Sequence, residues 1–532
     1  MKVLQRLNPL QLNIYPDIIR DYLLEDKRLM PFYKYSCQNT DFDKIMSNCN
    51  MPSDARHVLR QALDEQYQNL PVQGAVTANI QMLNRPDCFT VTTAHQPVLF
   101  GGPLFFVYKI ACAIHLAEHL KKTFPDKHFV PVYFIGAEDH DFEEVNHIYL
   151  AGEQVIWSEP MKGAVGRFST RYIKPLIKDI KVKLHGPFAS ETVHLLEEAY
   201  SQPTLAQATL YLVHALFGRS GLVVVLPDTP QLKKRFTPVI QDELVQGTCG
   251  QLARETGRQL AQAGYPQQAY PRDINLFYLT DGLRARIIYE QTSNRYKVVG
   301  TDLQFSRDEI LKLTEEHPER FSPNVMLRPL YQVSLLPDLA YIGGPGELAY
   351  WLQLKGIFDY YRVNFPMLAL RNSALILEQN ILRKMERNGI AFTELFEDEE
   401  KLIQTALARQ SDKALDLTWE QEQMERLFDH IRGRTTEVDP TLAGVVEAMA
   451  ANLRKGLQTL EKKMIRAEKK NQETTVAQIK SIKARLFPNG ILQERVESFL
   501  PYYALEGHAF IQTLTETMDP LAKQFVVLGV DA

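Results

Sequence analysis

The sequence predicts an α/β protein, a doubly wound parallel sheet carrying a long α-helical coiled-coil arm, and three stretches predict it. Residues 88–135 spell strand, helix, strand; "GLVVVLP" from Gly221 is a fully apolar strand after helical text; and 373–487 is helical almost throughout. A strand–helix–strand unit implies parallel strands joined by a right-handed crossover. At 532 residues the chain has room for about three domains.

Taken in order, residues 1–85 read as helices and loops, with amphipathic segments such as "PDIIRDYLL" and "DARHVLRQALDEQYQNL", and predict an N-terminal helical cap. The core is expected over 86–372. It opens with the β-branched run and loop "CFTVTTAHQPVLFGG", followed by a helix in which Leu104, Val107, Ala111, Ile114 and Ala117 recur at helical spacing. Pro103 suits the first turn, where its missing N–H has no partner to lose. The apolar strand 129–135 completes the unit. Residues 150–205 and 231–320 are mixed in character and read as insertions into the sheet.

Leu442, Val446, Met449, Leu453, Leu457, Leu460, Met464 and Ala467 advance by three or four residues. This is a long amphipathic helix, which with a partner around 374–430 predicts an antiparallel coiled-coil arm over 373–490. Pro488, Asn489 and Gly490 stop it. A homodimer is expected to cover its apolar seam, two helices covering each other within one chain being the alternative. The tail 491–532 is apolar enough to pack back on the core.

Composition narrows the function. A net charge of -4 gives no support to a nucleic-acid or membrane-surface partner. No stretch approaches the roughly 18–20 apolar residues that span a bilayer, and the N-terminus lacks the pattern of a signal peptide. Cys37, Cys49, Cys88, Cys112 and Cys249 are odd in number and never spaced C-x-x-C, so they read as free thiols of a cytoplasmic protein without a structural metal.

Ligands of an open parallel sheet bind beyond the carboxyl ends of its strands. Two loops there, "TTAHQPVLFGG" and "GAEDHDFEEVNH", should meet at one crevice. Gly101 and Gly102 precede a helix start, which favours an anion, with His95 and Gln96 facing the same crevice and Lys109 two turns into the helix. Glu138, Asp139 and Asp141 flank His140 at a strand end; a histidine between carboxylates has its protonated form favoured and suits proton transfer near neutral pH. Glu143 and Glu144 suit the first turn of a helix, and Asn146 in the same loop is a further binding candidate. A metal held by His140, His147 and the acids is the competing reading of this loop. Further along, Gly343, Gly344 and Gly346 form a loop that side chains cannot crowd, Glu347 begins the helix behind it, Arg328 is a candidate carboxylate clamp, and Tyr350 could floor a sugar site. Arg272 and Asn275 in "PRDINLFY" complete the candidates.

Together "HQPVLFGGPLFFVYK", "GAEDHDFEEVNH", "RPLYQVSLLPDLAYIGGPGELAYW" and "LFPNGILQERVESFLPYY" resemble one family, the cysteine-adding enzymes (cysteine ligases) of bacillithiol biosynthesis. The resemblance runs in order across most of the chain. It implies a Rossmann-like core with two inserted connecting-peptide segments, a coiled-coil homodimer, and an amide-forming reaction between the carboxyl of L-cysteine and the amine of glucosaminyl-malate. The acidic loop with His140 then becomes the place of amine deprotonation, and Gly101, Gly102, Lys109 and Arg328 hold the malate carboxylates. The core also resembles class I aminoacyl-tRNA synthetases, in which a histidine motif at the first helix start holds ATP; His95 and Gln96 stand in that place, implying ATP or ADP with magnesium as cofactor. The sequence departs from that second pattern in having no K-M-S-K-S-like loop. Two alternatives stay open: a non-catalytic ligand-binding dimeric scaffold, and a metal-dependent hydrolase.

Overall fold

The computed structural model describes residues 1–410 and 416–531; the stretch 411–415 of the expected arm and the last residue of the tail lie outside the described residues. The chain divides into two compact units, 1–375 with 492–529, and 376–491 with 530–532.

The first unit is built on a five-stranded sheet in the order Met367–Leu370, Asp338–Gly343, Cys88–His95, His128–Ile135, Val223–Val225, with every neighbouring pair parallel. The chain winds one way from Cys88–His95 through the next two strands, and its last two strands lie on the other side. Strand order thus reverses beside Cys88–His95, which is the doubly wound arrangement predicted. All residues of that strand are buried except the half-buried His95, because elements cover both faces of a parallel sheet and a strand inside it has no polar side. Helix Phe105–Thr123 joins the first two strands. Its predicted stripe, Val107, Ala111, Ile114 and Ala117, is buried.

Two features have no counterpart in the sequence reading. Residues 276–323 hold a second five-stranded sheet, ordered Gln304–Phe305, Arg295–Val298, Leu283–Glu290, Leu276–Thr280, Phe321–Pro323, antiparallel throughout. The N-terminus, read as helix and loop, begins with strand Lys2–Leu7, paired antiparallel to the strand Phe525–Val530. Six residues with a partner more than 500 positions away carry no local signal for that pairing.

In the second unit, helix Ala443–Asn471 packs on helix Thr418–Val438 through Met424, Phe428, Val446 and Ala450. Ion pairs Arg432–Glu447 and Arg454–Glu425 link the same two helices, and Glu473–Leu486 continues the helical run.

Candidate active site

Each strand of the parallel sheet leads into one cavity of about 1120 Å³: His95, Ile135, Pro227, Gly344 and Arg371 all line it, and the antiparallel sheet supplies a facing wall with Phe277, Arg284 and Arg286. The position follows from topology, since crevices in such sheets open where strand order reverses.

At the reversal, helix Pro345–Leu352 begins immediately after its strand. Glu347 reaches back so that the Gly344 N–H and the Tyr341 hydroxyl each donate to its carboxylate at 2.8 Å. The Lys109 ammonium, 2% exposed, lies 2.7 Å from the same carboxylate and also donates to the Ala94 carbonyl. Burial would raise the Glu347 carboxyl, but Lys109 and the Gly344 N–H hold it down at about 2. Burial and, secondarily, the Lys109 charge push His95 down to about 4, so its ring is neutral at physiological pH. The His95 Nδ1 lies 3.1 Å from the Gln96 carbonyl oxygen. A carbonyl only accepts, so Nδ1 carries the hydrogen and Nε2 keeps a lone pair. Arg328 donates to the Tyr350 hydroxyl at 2.9 Å and to Gln332 at 3.2 Å.

The acidic loop lines the same cavity through Glu138, Asp139 and His140. Glu138 is paired at 2.5 Å with Lys233, itself fully buried; burial raises the Glu138 carboxyl and Lys233 opposes that rise. Asp139 accepts from the His140 backbone N–H at 2.7 Å and from the Gln96 side-chain amide. Burial acts to raise its carboxyl, and His140, Arg284 and Gln96 together leave it well below the usual range. The His140 Nδ1 is 2.7 Å from Arg284 Nη1 and 3.4 Å from Asp139. Because a guanidinium only donates, the shorter contact makes Nδ1 an acceptor. Arg284, invisible from local sequence, occupies the ring's Nδ1 side.

Of the other predicted residues, Gln96, Arg328, Gly344, Gly346, Glu347 and Tyr350 line the cavity with His95, Glu138, Asp139 and His140. Lys109 lies one layer behind, under Glu347. Asp141 caps the short helix Phe142–Val145 by accepting from the Glu144 N–H, and Asn146 faces His147; neither lines the cavity. Gly101 and Gly102 lie outside it as well. They have φ of +80° and +68°, and a Cβ would run into the Phe499 ring at 2.8 Å and into Val98 at 2.9 Å, so glycine serves a tight turn there. Gly343 is packed against Leu348 and Tyr341, and Asn275 is buried against Glu243. Among the described residues no group of three or more His, Cys, Asp or Glu is placed to hold a metal ion.

Residues that sequence reasoning missed are mostly arginines. Arg371 directly follows the strand Met367–Leu370, so the strand-end rule could have found it. Arg284 and Arg286 share one face of Leu283–Glu290 through the two-residue period, and Arg495 comes from the C-terminal segment. All four line the cavity.

Comparison with known proteins agrees with this architecture. The family model described as "Bacillithiol biosynthesis BshC, N-terminal Rossmann-like domain" matches residues 5–372, and that of the BshC C-terminal coiled-coil domain matches 374–530. Relatives named "Putative cysteine ligase BshC" include one from Flavobacterium johnsoniae, 36% identical over 97% of this chain and 98% of its own. Others are from Flavobacterium psychrophilum, 38% identical, and Christiangramia forsetii, 39% identical, each over 97% of both chains. With both halves of the chain matched and the strand-end cavity in the Rossmann-like half, the protein belongs to the BshC family of bacillithiol biosynthesis.

Proposed function

We propose that the protein is a cysteine ligase that joins the carboxyl of L-cysteine to the amine of glucosaminyl-malate. The observation that carries this reading is that one cavity is lined both by the carboxylates Glu138 and Asp139 and by the guanidinium of Arg328. The acceptor has matching groups: an amine that must be held and lose a proton, and two carboxylates that need cations. The full-length likeness to proteins named as putative cysteine ligases supports the cysteine half of this reading.

ATP with magnesium is the proposed cosubstrate, which would turn the cysteine carboxyl into an acyl donor. Arg272 and Arg286, on the exposed rim of the cavity, have side chains suited to nucleotide phosphates. His95, with its hydrogen on Nδ1, offers an acceptor, which suits a hydroxyl hydrogen rather than a phosphate oxygen. The protein is read as a cytoplasmic homodimer held through its coiled coil, with no nucleic-acid or membrane partner.

Mass spectrometry of purified protein incubated with both substrates, with and without ATP and magnesium, tests this. The expected product is the amide, one water lighter than the two substrates together and formed only with ATP. No product in either condition would sink the ligase reading.

A further inference from the structure

Two guanidinium groups that line the cavity, those of Arg328 and Arg495, have no carboxylate partner among the described residues, and a third, that of Arg371, is met by a carboxylate on one side only. Lys109 is paired with Glu347, Lys233 with Glu138, and Arg284 faces Asp139. Arg328 has only the neutral Tyr350 hydroxyl and Gln332 amide. Arg371 is 3% exposed and held on one side by Glu494 at 2.7 Å, the Asn372 carbonyl and Ser373. Its Nε, 3.8 Å from where a Cβ on Gly344 would stand, has no hydrogen-bond partner among the described residues. Arg495, the residue after the one that anchors Arg371, is exposed and lines the same cavity; no ion pair to it is found among the described residues.

A buried donor without a partner is costly unless a ligand completes it. With Arg371 balanced by Glu494 and Lys109 by Glu347, the uncompensated charge among these groups is that of Arg328 and Arg495. That matches a dianion. We propose that Arg328, Arg371 and Arg495 form a dicarboxylate subsite, to which the C-terminal segment contributes Arg495, and that it seats the malate part of the acceptor. The inference rests on the proposed ligase reading for the name of that dianion. Arg495 reaches the site although more than 120 residues separate it from Arg371 in sequence, so an arm domain is inserted between two parts of one binding site.

The test is titration calorimetry of the full-length protein with L-malate alone, and separately with inorganic phosphate, at low salt. L-malate should bind, phosphate should not displace it, and Arg495→Gln should weaken malate binding by about tenfold, the scale of one lost charge-assisted hydrogen bond. Arg258→Gln, at an exposed arginine that does not line the cavity, should leave binding unchanged and controls for net charge. Absence of malate binding to the wild type, displacement of malate by phosphate, or an unaltered Arg495→Gln would each overturn the proposal. Because calorimetry needs no turnover, malate binding that depends on Arg495 would stand even if no amide product formed, and a working ligase indifferent to Arg495 would lose this subsite while keeping its function.

Discussion

Arg284 donates a hydrogen bond to Nδ1 of His140 at 2.7 Å, and its guanidinium lies 3.9 Å from the Phe277 ring centroid. Since a guanidinium cannot accept, the hydrogen of His140 sits on Nε2. The histidine that stands among the loop acids therefore offers the cavity a donor, whereas His95 offers a lone pair.

That opposition predicts how His140 variants behave. Glutamine can place an amide N–H near the position of Nε2, and alanine cannot. His140→Gln should keep product formation within about tenfold of wild type, and His140→Ala should lose about 100-fold in kcat, the usual scale of one proton-handling or polarising group. Equal losses in the two folded variants would instead make His140 the base.

The Lys109–Glu347 pair should behave as a unit in stability measurements. Removing one partner leaves an unpaired buried charge, so Lys109→Met is expected to cost about 3–5 kcal/mol in urea unfolding. Lys109→Met with Glu347→Gln should cost clearly less than the sum of the single changes, which a double-mutant cycle reads directly. The Glu347 carboxyl is held at about 2, below its unfolded value of about 4.3. Its contribution is therefore present above the unfolded value and lost as pH falls through about 2.

Asp338 has the opposite sign. It is 1% exposed, and burial raises its carboxyl to about 6 although the Thr90 and Thr92 hydroxyls and the Gln332 amide donate to it. A raised carboxyl favours the folded state while protonated; the contribution is complete below the unfolded value of about 3.9 and is lost as pH rises through about 6. The stability difference between wild type and Asp338→Asn should therefore shift against wild type by up to about 3 kcal/mol between pH 4 and pH 7.5. A difference independent of pH would mean that Asp338 ionises normally.

The sheet, its reversal point and the arm were legible because each depends on local pattern. Residues 88–94 are apolar or β-branched throughout, helix Phe105–Thr123 has its stripe, and the arm repeats every three or four residues. Strand ends then located His95, Glu138, Asp139, Gly344 and Glu347 at one cavity. Partners across long separations were not legible. Nothing near His140 announces Arg284, 144 residues away, and nothing near Arg371 announces Glu494, 123 away. Gly101 and Gly102 misled for a related reason: a Gly-Gly before a helix looks the same whether a ligand or, as here for Gly101, a distant Phe499 ring fills the space.

The arm gives the last prediction. Val446 and Ala450 of helix Ala443–Asn471 are buried against Met424 and Phe428 of its neighbour. Val445, Met449, Leu453 and Leu460, one helical step aside, are 47–59% exposed. Two helices of one chain thus cover only part of the apolar surface, and Leu427 on the neighbouring helix is 55% exposed as well. A second copy of the chain is the occupant that the dimer reading requires, since apolar seams of this kind close by pairing with another helix. Met449→Glu with Leu453→Glu adds charge to that stripe and leaves Val446 and Ala450 in place. Light scattering should then show one chain mass where the wild type shows two, with unchanged helical content by circular dichroism. A wild type already at one chain mass would remove the dimer and leave the stripe to some other partner, whereas a double variant still at two would move the interface off this helix.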